Sequence, residues 1–428
     1  MFNLSKEISR RLPRAGWLPA LAVFVPLGAS ADVISLFDEV TQNTVTPPVG
    51  VSYPAVTPEE IRTSFGQDTA TVHVAIFDSV VSITGGYWPY ATEPSTATAG
   101  ASVNAAAASA ACAALRGLFP NRAPQYEPTC ASYLAAIPDG NAKTRGIAIG
   151  SEVAAGTLAL RANDGRMNPA VYVAGSDPGD FRGVNPVNVW LPFVKPFAMT
   201  SPSQFRADGP PDLTSYTYAV DLNEVKAYGG AVSTLRTPEQ LDLAKFATDA
   251  PPRYTPRNIR RFLSDSRSVL ENSRFMALMW VAVADAGEAC FDSKYYFDRW
   301  RPQSAIPLAD TDGNDATVAD AAWTPVVPTP NHPEYPAAHS CTTSAIATVL
   351  EKFFGTNKID FVLDSQVPGL AMPVRTYHDT DDMVRDLSLA RIYGGMHYRT
   401  STKDGIVLGK RVANWVTRNF FKKRKLHH

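Results

Sequence analysis

The chain has 428 residues, enough for one large core or two modest ones, because single cores stop growing near roughly 250 to 300 residues. Forty basic against 41 acidic residues leave a net charge of -1, which excludes a global field for nucleic acid or an anionic membrane surface, so any bound anion must be attracted locally. The 34 prolines exceed the usual share of about 5% and predict long, rigid connections between regular elements.

Residues 1–31 carry the pattern of an export signal: basic Arg10, Arg11 and Arg14, an apolar run from Gly16 to Gly28, then Ala29-Ser30-Ala31 as a small-residue cleavage site. Cleavage is expected after Ala31, leaving a periplasmic or extracellular protein. The apolar run is shorter than the roughly 20 residues of a spanning helix, so no membrane span is expected. Residues 32–60, rich in Thr, Val and Pro, lack a helical period and read as an extended lead-in, closed by a helix-start pattern at Thr57-Pro58-Glu59-Glu60. Val72 to Ile83 is apolar on nearly every face, as a buried helix is, and His73 within it is expected to be a satisfied core histidine.

Helices are predicted next at Ala101 to Leu115 and Gly146 to Ala162, both alanine-rich. Asp177 to Pro211 is dominated by Gly, Pro, Asn and aromatic residues and predicts a long ordered loop. Helical patterns return at Tyr218 to Tyr228 and at Pro238 to Thr248, the latter opened by Thr237-Pro238-Glu239. The most apolar helix, Phe275 to Ala284, is expected at the centre of the core. Asp381 to about Tyr393 and Thr402 to Phe421 should close the chain, with Ser401 or Thr402 as the last cap and the basic tail from Lys422 to Lys425 at its negative end. The predicted organisation is an N-terminal helical half over 32–235 and a C-terminal helical half over 236–428. Cys112, Cys130, Cys290 and Cys341 form an even set that an oxidising compartment can pair. Of three connectivities, Cys112 with Cys130 and Cys290 with Cys341 is favoured, against four buried thiols.

Three stretches carry chemistry. Lys294 and Arg301, in a segment ending at Pro302, lie seven residues apart. If helical, they share one face about 10 Å apart along the axis, where their long stems can converge on one anion. In His332-Pro-Glu-Tyr-Pro336-Ala337-Ala338-His339-Ser340, a helix is predicted to begin at or just after His339, presenting free N–H groups and a positive dipole end to an anion. In Arg391-Ile-Tyr-Gly394-Gly395-Met-His397, Arg391 closes one helix and the glycines let backbone approach a bound group. Asp310-Thr-Asp312-Gly-Asn314-Asp315 is a polar turn and not a calcium loop, since Gly is misplaced and Ala321 stands where Glu is needed.

Taken together, Lys-x6-Arg-Pro, Pro-small-small-His and Arg-x5-His resemble the signature of the superfamily joining vanadium haloperoxidases to type 2 phosphatidic acid phosphatases and bacterial acid phosphatases. Val74 to Val81 and Lys195 to Phe205 also look like segments of its bacterial haloperoxidase-like branch. The resemblance implies an all-α fold of two four-helix-bundle-like halves with long Pro-rich loops and the site in the C-terminal bundle. It implies that Lys294, Arg301 and Arg391 hold the oxygens of vanadate, or of phosphate in the same place, and that the Ala338 N–H joins them. His397 is then the axial ligand of vanadium, or the nucleophile of a phosphatase, and His339 is the acid-base residue. Two departures stand out: Ala337-Ala338 replaces the usual Ser-Gly, and Ser401 stands where phosphatases often place an aspartate to orient the axial histidine.

His332, seven residues before His339, falls where algal bromoperoxidases have a second active-site histidine and fungal chloroperoxidase a phenylalanine, which favours bromide. The implied activity is oxidation of halide by hydrogen peroxide, with a small organic acceptor, His339 taking a proton and Lys294 polarising the peroxide. The alternatives are a periplasmic acid phosphatase and a non-catalytic oxyanion-binding protein.

Overall fold

A computed structural model describes residues 32–48 and 50–424. The expected export segment and its cleavage point after Ala31, and Lys425 of the basic tail, lie outside the described residues. The described chain is all-α apart from one small hairpin. Its helices are α1 (Val33–Val45), α2 (Pro58–Ile61), α3 (Phe65–Thr84), α4 (Val103–Leu118), α5 (Glu127–Ala136), α6 (Asn141–Arg161), α7 (Tyr216–Gly229), α8 (Pro238–Phe246) and α9 (Pro251–Arg260). There follow α10 (Val269–Phe297), α11 (Pro302–Ala305), α12 (Ala338–Phe354), strands β1 (Phe361–Asp364) and β2 (Val374–Tyr377), then α13 (Thr380–Tyr393) and α14 (Arg399–Asn419). Helices α1, α3, α4 and α6 pack as one bundle, and α10, α12, α13 and α14 as another, with α3 against α10 joining them. Among the described residues no helix is long and apolar enough to cross a membrane.

Helix α10 is the axis of the molecule. Ser268 and Glu271 form a reciprocal capping box at its start, and nearly every residue from Phe275 to Ala286 is buried. Each large side chain in that run, such as Trp280 or Phe275, contributes about 1.5 to 3 kcal/mol by leaving water. The same helix carries Asp285, whose carboxylate accepts the backbone N–H groups of Phe197, Ala198 and Met199 at 2.8 to 2.9 Å. That bond set pins the long Pro-rich loop, predicted over Asp177 to Pro211, to the core. Asp78 on α3 does the same for the N–H groups of Tyr90, Ala91 and Thr92. His73 is a core residue, its Nε2 3.0 Å from Asp38.

Between α12 and α14 the backbones nearly touch. A Cβ at Gly409 would fall 2.0 Å from the Cys341 carbonyl oxygen, and one at Gly405 2.8 Å from that of Ala337. Only glycine permits this spacing, and it sets the first turn of α12 directly beside α14.

Three expectations are corrected and one small element, the hairpin, was not anticipated. Residues 33–45 are helical, not extended. Asp32 accepts the Ile34 N–H as N-cap, and Val33, Ile34, Phe37, Val40 and Val45 follow helical spacing, a pattern masked because Asp38, Thr41 and Thr44 are buried too. The hairpin, with Phe361 opposite Tyr377, has strands of only four residues, too short to reveal a period. Lys294 and Arg301 do not share a helix. Asp298 adopts φ 46 and ends α10, and Arg301 is extended because it precedes Pro302, which opens α11. Finally, Cys112 and Cys130 are disulfide-bonded as favoured, but Cys290 and Cys341 are free thiols. They are hydrogen-bond neighbours, and the Cys290 thiol also faces the Pro336 carbonyl oxygen at 3.8 Å. Unfolded without reductant, the protein is expected to release two titratable thiols, rising to four on reduction; four at the outset would remove the bridge, and none would restore the second pair.

Candidate active site

The three chemistry-bearing stretches meet at one end of a cavity of about 850 Å³. His332, Ala338, His339, Arg391, Met396 and His397 line that end. Lys294 and Arg301 are not in the wall; they sit behind it, fully buried, and act through what they touch.

The loop from His332 to Ala337 organises both cations. Lys294 gives its Nζ hydrogens to the backbone carbonyl oxygens of Pro333 (3.0 Å), Glu334 (2.9 Å) and Pro336. With all three donors engaged, it contributes charge, and its expected direct hold on an anion or on peroxide would require those bonds to be exchanged. Arg301 donates through Nε to the His332 carbonyl oxygen and through Nη1 to that of Met396, both at 2.9 Å. Its Nη1 also lies 3.0 Å from His397 Nε2, and its Nη2 3.0 Å from His332 Nδ1. A guanidinium can only donate, so His397 Nε2 presents its lone pair to it, whereas His332 Nδ1 also faces the Pro333 carbonyl oxygen at 3.1 Å. His332 is further packed against Phe291, ring centroids 5.1 Å apart.

Glu334, which sequence reasoning passed over, is the residue that orients His397. Its Oε1 lies 2.9 Å from His397 Nδ1 and accepts the Tyr398 N–H at 3.0 Å. Nδ1 therefore carries the proton and Nε2 the lone pair, the state a metal or oxyanion centre requires of an imidazole. The position four residues beyond His397, where Ser401 stands, is thus relieved of that task. A histidine and a glutamate two residues apart in a Pro-rich turn are the signal that was available, but nothing in their spacing relates them to a residue 63 positions on.

Arg391, at the end of α13, donates through Nη1 to the Ala247 carbonyl oxygen at 3.0 Å, and its Nη2 lies 2.8 Å from Met396 Sδ. Its Nε is buried with no partner. The His339 ring bonds to the same Ala247 carbonyl, so the C-cap of α8 steadies both. The glycines after Arg391 serve packing rather than ligand approach. Gly395 has φ +78, and a Cβ there would strike the Gly229 carbonyl oxygen at 2.4 Å.

The electrostatics identify what the cavity end is built for. Burial, then the Arg301 charge, lowers Lys294 to about 8. Burial lowers Arg301 to about 10, and burial followed by Arg301 lowers Arg391 to about 9. Among the described residues Glu334 is the carboxylate that acts on Lys294 and Arg301, and none acts on Arg391. Glu334 is itself raised by burial, against the pull of Arg301 and Lys294. Burial, reinforced by these cations, holds His332, His339 and His397 well below the ordinary histidine value, hence neutral. The first turn of α12 has no side-chain cap, leaving amide donors free. Buried positive charge in excess of its counter-charge, an orphaned guanidinium N–H and uncapped helix amides together fit a tetrahedral oxyanion such as vanadate or phosphate. Ala337 cannot supply the hydroxyl of the usual Ser. Among the described residues no cluster of three or more His, Cys, Asp or Glu groups side chains for a bare metal ion, and the donor set suits an anion held by cations with a single imidazole.

Known proteins share this fold. A family model described as the VCPO second helical-bundle domain matches residues 274–425, the segment holding all six predicted side chains. The solved structure of a bacterial vanadium-dependent iodoperoxidase superposes with a TM-score of 0.72 at 20% identity, covering 94% of this chain and 99% of that one. A holo-type bacterial vanadium-dependent chloroperoxidase gives 0.70 at 17% identity, covering 91% and 97%, and an apo-type one 0.66 at 16%, covering 87% and 95%. No curated protein sequence matches the chain. Residues 274–425 thus match the second helical-bundle domain of that family model, and the chain shares its fold with these solved structures.

Proposed function

We propose that the protein is an exported vanadium-dependent haloperoxidase, oxidising bromide with hydrogen peroxide. The observation that carries this reading is the excess of buried positive charge beside a neutral, Glu334-oriented His397 whose Nε2 bears a lone pair. In the overall reaction halide, peroxide and one proton give hypohalous acid and water, two electrons passing from halide to the O–O bond. Vanadate, when bound, supplies Lewis-acid activation of peroxide without changing oxidation state.

The chain's own residues do the rest. His397 Nε2 would ligate in exchange for its contact with Arg301 Nη1, with Glu334 fixing its tautomer. Arg391 and the first amides of α12 would hold the oxyanion oxygens, while Lys294 and Arg301 would add positive field from behind the wall, Arg301 reaching an oxygen only by exchanging a present bond. Neutral His339 donates from one ring nitrogen to the Ala247 carbonyl, which leaves the other free to accept a proton from peroxide. His332, lining the cavity beside Arg301, is the group that favours bromide. The bond between Cys112 and Cys130 supports export, because such bridges persist in oxidising compartments.

The test is reconstitution with vanadate, followed by peroxide and each halide in turn. Bromide- or iodide-dependent halogenation of a small 1,3-diketone is expected only from the loaded protein. Hydrolysis of an aryl phosphate by vanadate-free protein, with no halide oxidation when loaded, would replace this reading by a phosphatase. Absence of both would leave an oxyanion-binding protein.

A further inference from the structure

Peroxide and a halide occupy roughly 100 Å³ together, taking about 30 Å³ for a water-sized molecule. The cavity is about 850 Å³, within the roughly 300 to 1,000 Å³ range of sites for organic ligands. Away from its cationic end the wall is mixed, with an apolar part formed by Phe65, Ile259, Phe262, Val283, Ile346 and Leu387 and polar groups that include Gln67, Asp249 and Asn258. Ala338, Thr342 and Ile346, one helical turn apart on α12, continue in a row from beside His339, a run of about 12 Å. Across from them Gly287 of α10 lines the same space, and a Cβ there would meet nothing within 4 Å. Among its polar groups the Tyr254 hydroxyl is buried without a hydrogen-bond partner.

We infer that this cavity binds the organic acceptor, an electron-rich apolar molecule such as a long-chain phenol, with its reactive ring toward the cationic end and its apolar portion along α10 and α12. Halogenation then takes place inside the protein and not only on molecules met in solution. The acceptor's fate rests on the haloperoxidase reading, whereas its binding does not. In the transfer the ring carbon forms a bond to halogen as the O–X bond of hypohalous acid breaks, and the ring proton leaves with the hydroxide as water. An apolar recess of this size forfeits packing that a filled core would have.

Binding is measured on vanadate-free protein, so the outcome is independent of any haloperoxidase activity. The probe is the neutral fluorophore N-phenyl-1-naphthylamine, displaced by 4-octylphenol. Wild type is expected to bind the probe and release it to the phenol, and Gly287→Phe to bind at least tenfold more weakly. Gly287→Leu, which adds a better helix former in open space, is the gentler variant should the first fold poorly, and thermal melting verifies both. Equal probe affinity in a folded variant, or no binding by wild type, overturns the inference. So does displacement by n-octyl phosphate but not by the phenol, which would assign the recess to an anionic lipid-like substrate.

Discussion

Glu334→Gln is expected to move two oxyanion affinities in opposite directions. Sulfate needs only positive charge, and removing the carboxylate that offsets Lys294 and Arg301 should tighten its binding severalfold. Vanadate needs the imidazole as well. Without a carboxylate on Nδ1 the ring loses basicity and its fixed tautomer, a change that costs roughly 10- to 100-fold in comparable outer-partner substitutions. Vanadate affinity should therefore fall while sulfate affinity rises. A residue that merely held the loop in place would weaken both, so equal losses would remove the positioning role. Glu334 is fully buried, and leaving its cations without a counter-charge should also lower stability by about 3 kcal/mol, read as a shift of the denaturant midpoint.

His397→Ala should have the largest effect on function. The substitution removes the lone pair that Arg301 Nη1 meets at 3.0 Å and leaves the cations untouched. Vanadate binding, followed by titration of halide-oxidising activity and by calorimetry, should weaken by more than the Glu334 substitution achieves, with halide oxidation undetectable above the vanadate-only background. Sulfate affinity should change by less than about threefold. Retained vanadate affinity would show that charge alone holds the ion and that the imidazole is not a ligand.

What the sequence disclosed, and what it withheld, follows from which interactions are local. The cap patterns at Thr57 and Thr237 are written within four residues, and the structure places helices there. His332, Ala338, His339, Arg391 and His397 were legible because a proline-rich turn, a helix start and a glycine pair each leave a short signature, and they do line one cavity. Lys294 and Arg301 were legible as residues but not in their route. The break at Asp298 depends on a left-handed backbone that no periodicity announces. Glu334 and Ala247 were invisible because each acts on a partner brought near only by the packed bundle. Helix α1 was hidden by polar residues that it buries against α3 and α9, among them Asp38, which meets His73 and Arg260.

The contact of Gly405 and Gly409 with the carbonyls of Ala337 and Cys341 gives this centre an unusual kind of tolerance map. The separation of the two imidazoles is inherited from main chain lying on main chain, so it is insensitive to most side-chain exchanges in the pocket and acutely sensitive at two positions that donate no atom to any ligand. A mutational library aimed at new substrates can vary the apolar wall freely, but should hold those two sites constant. A single added methyl there would pry the helices apart and displace His339 from His397 while every chemical group remained in place.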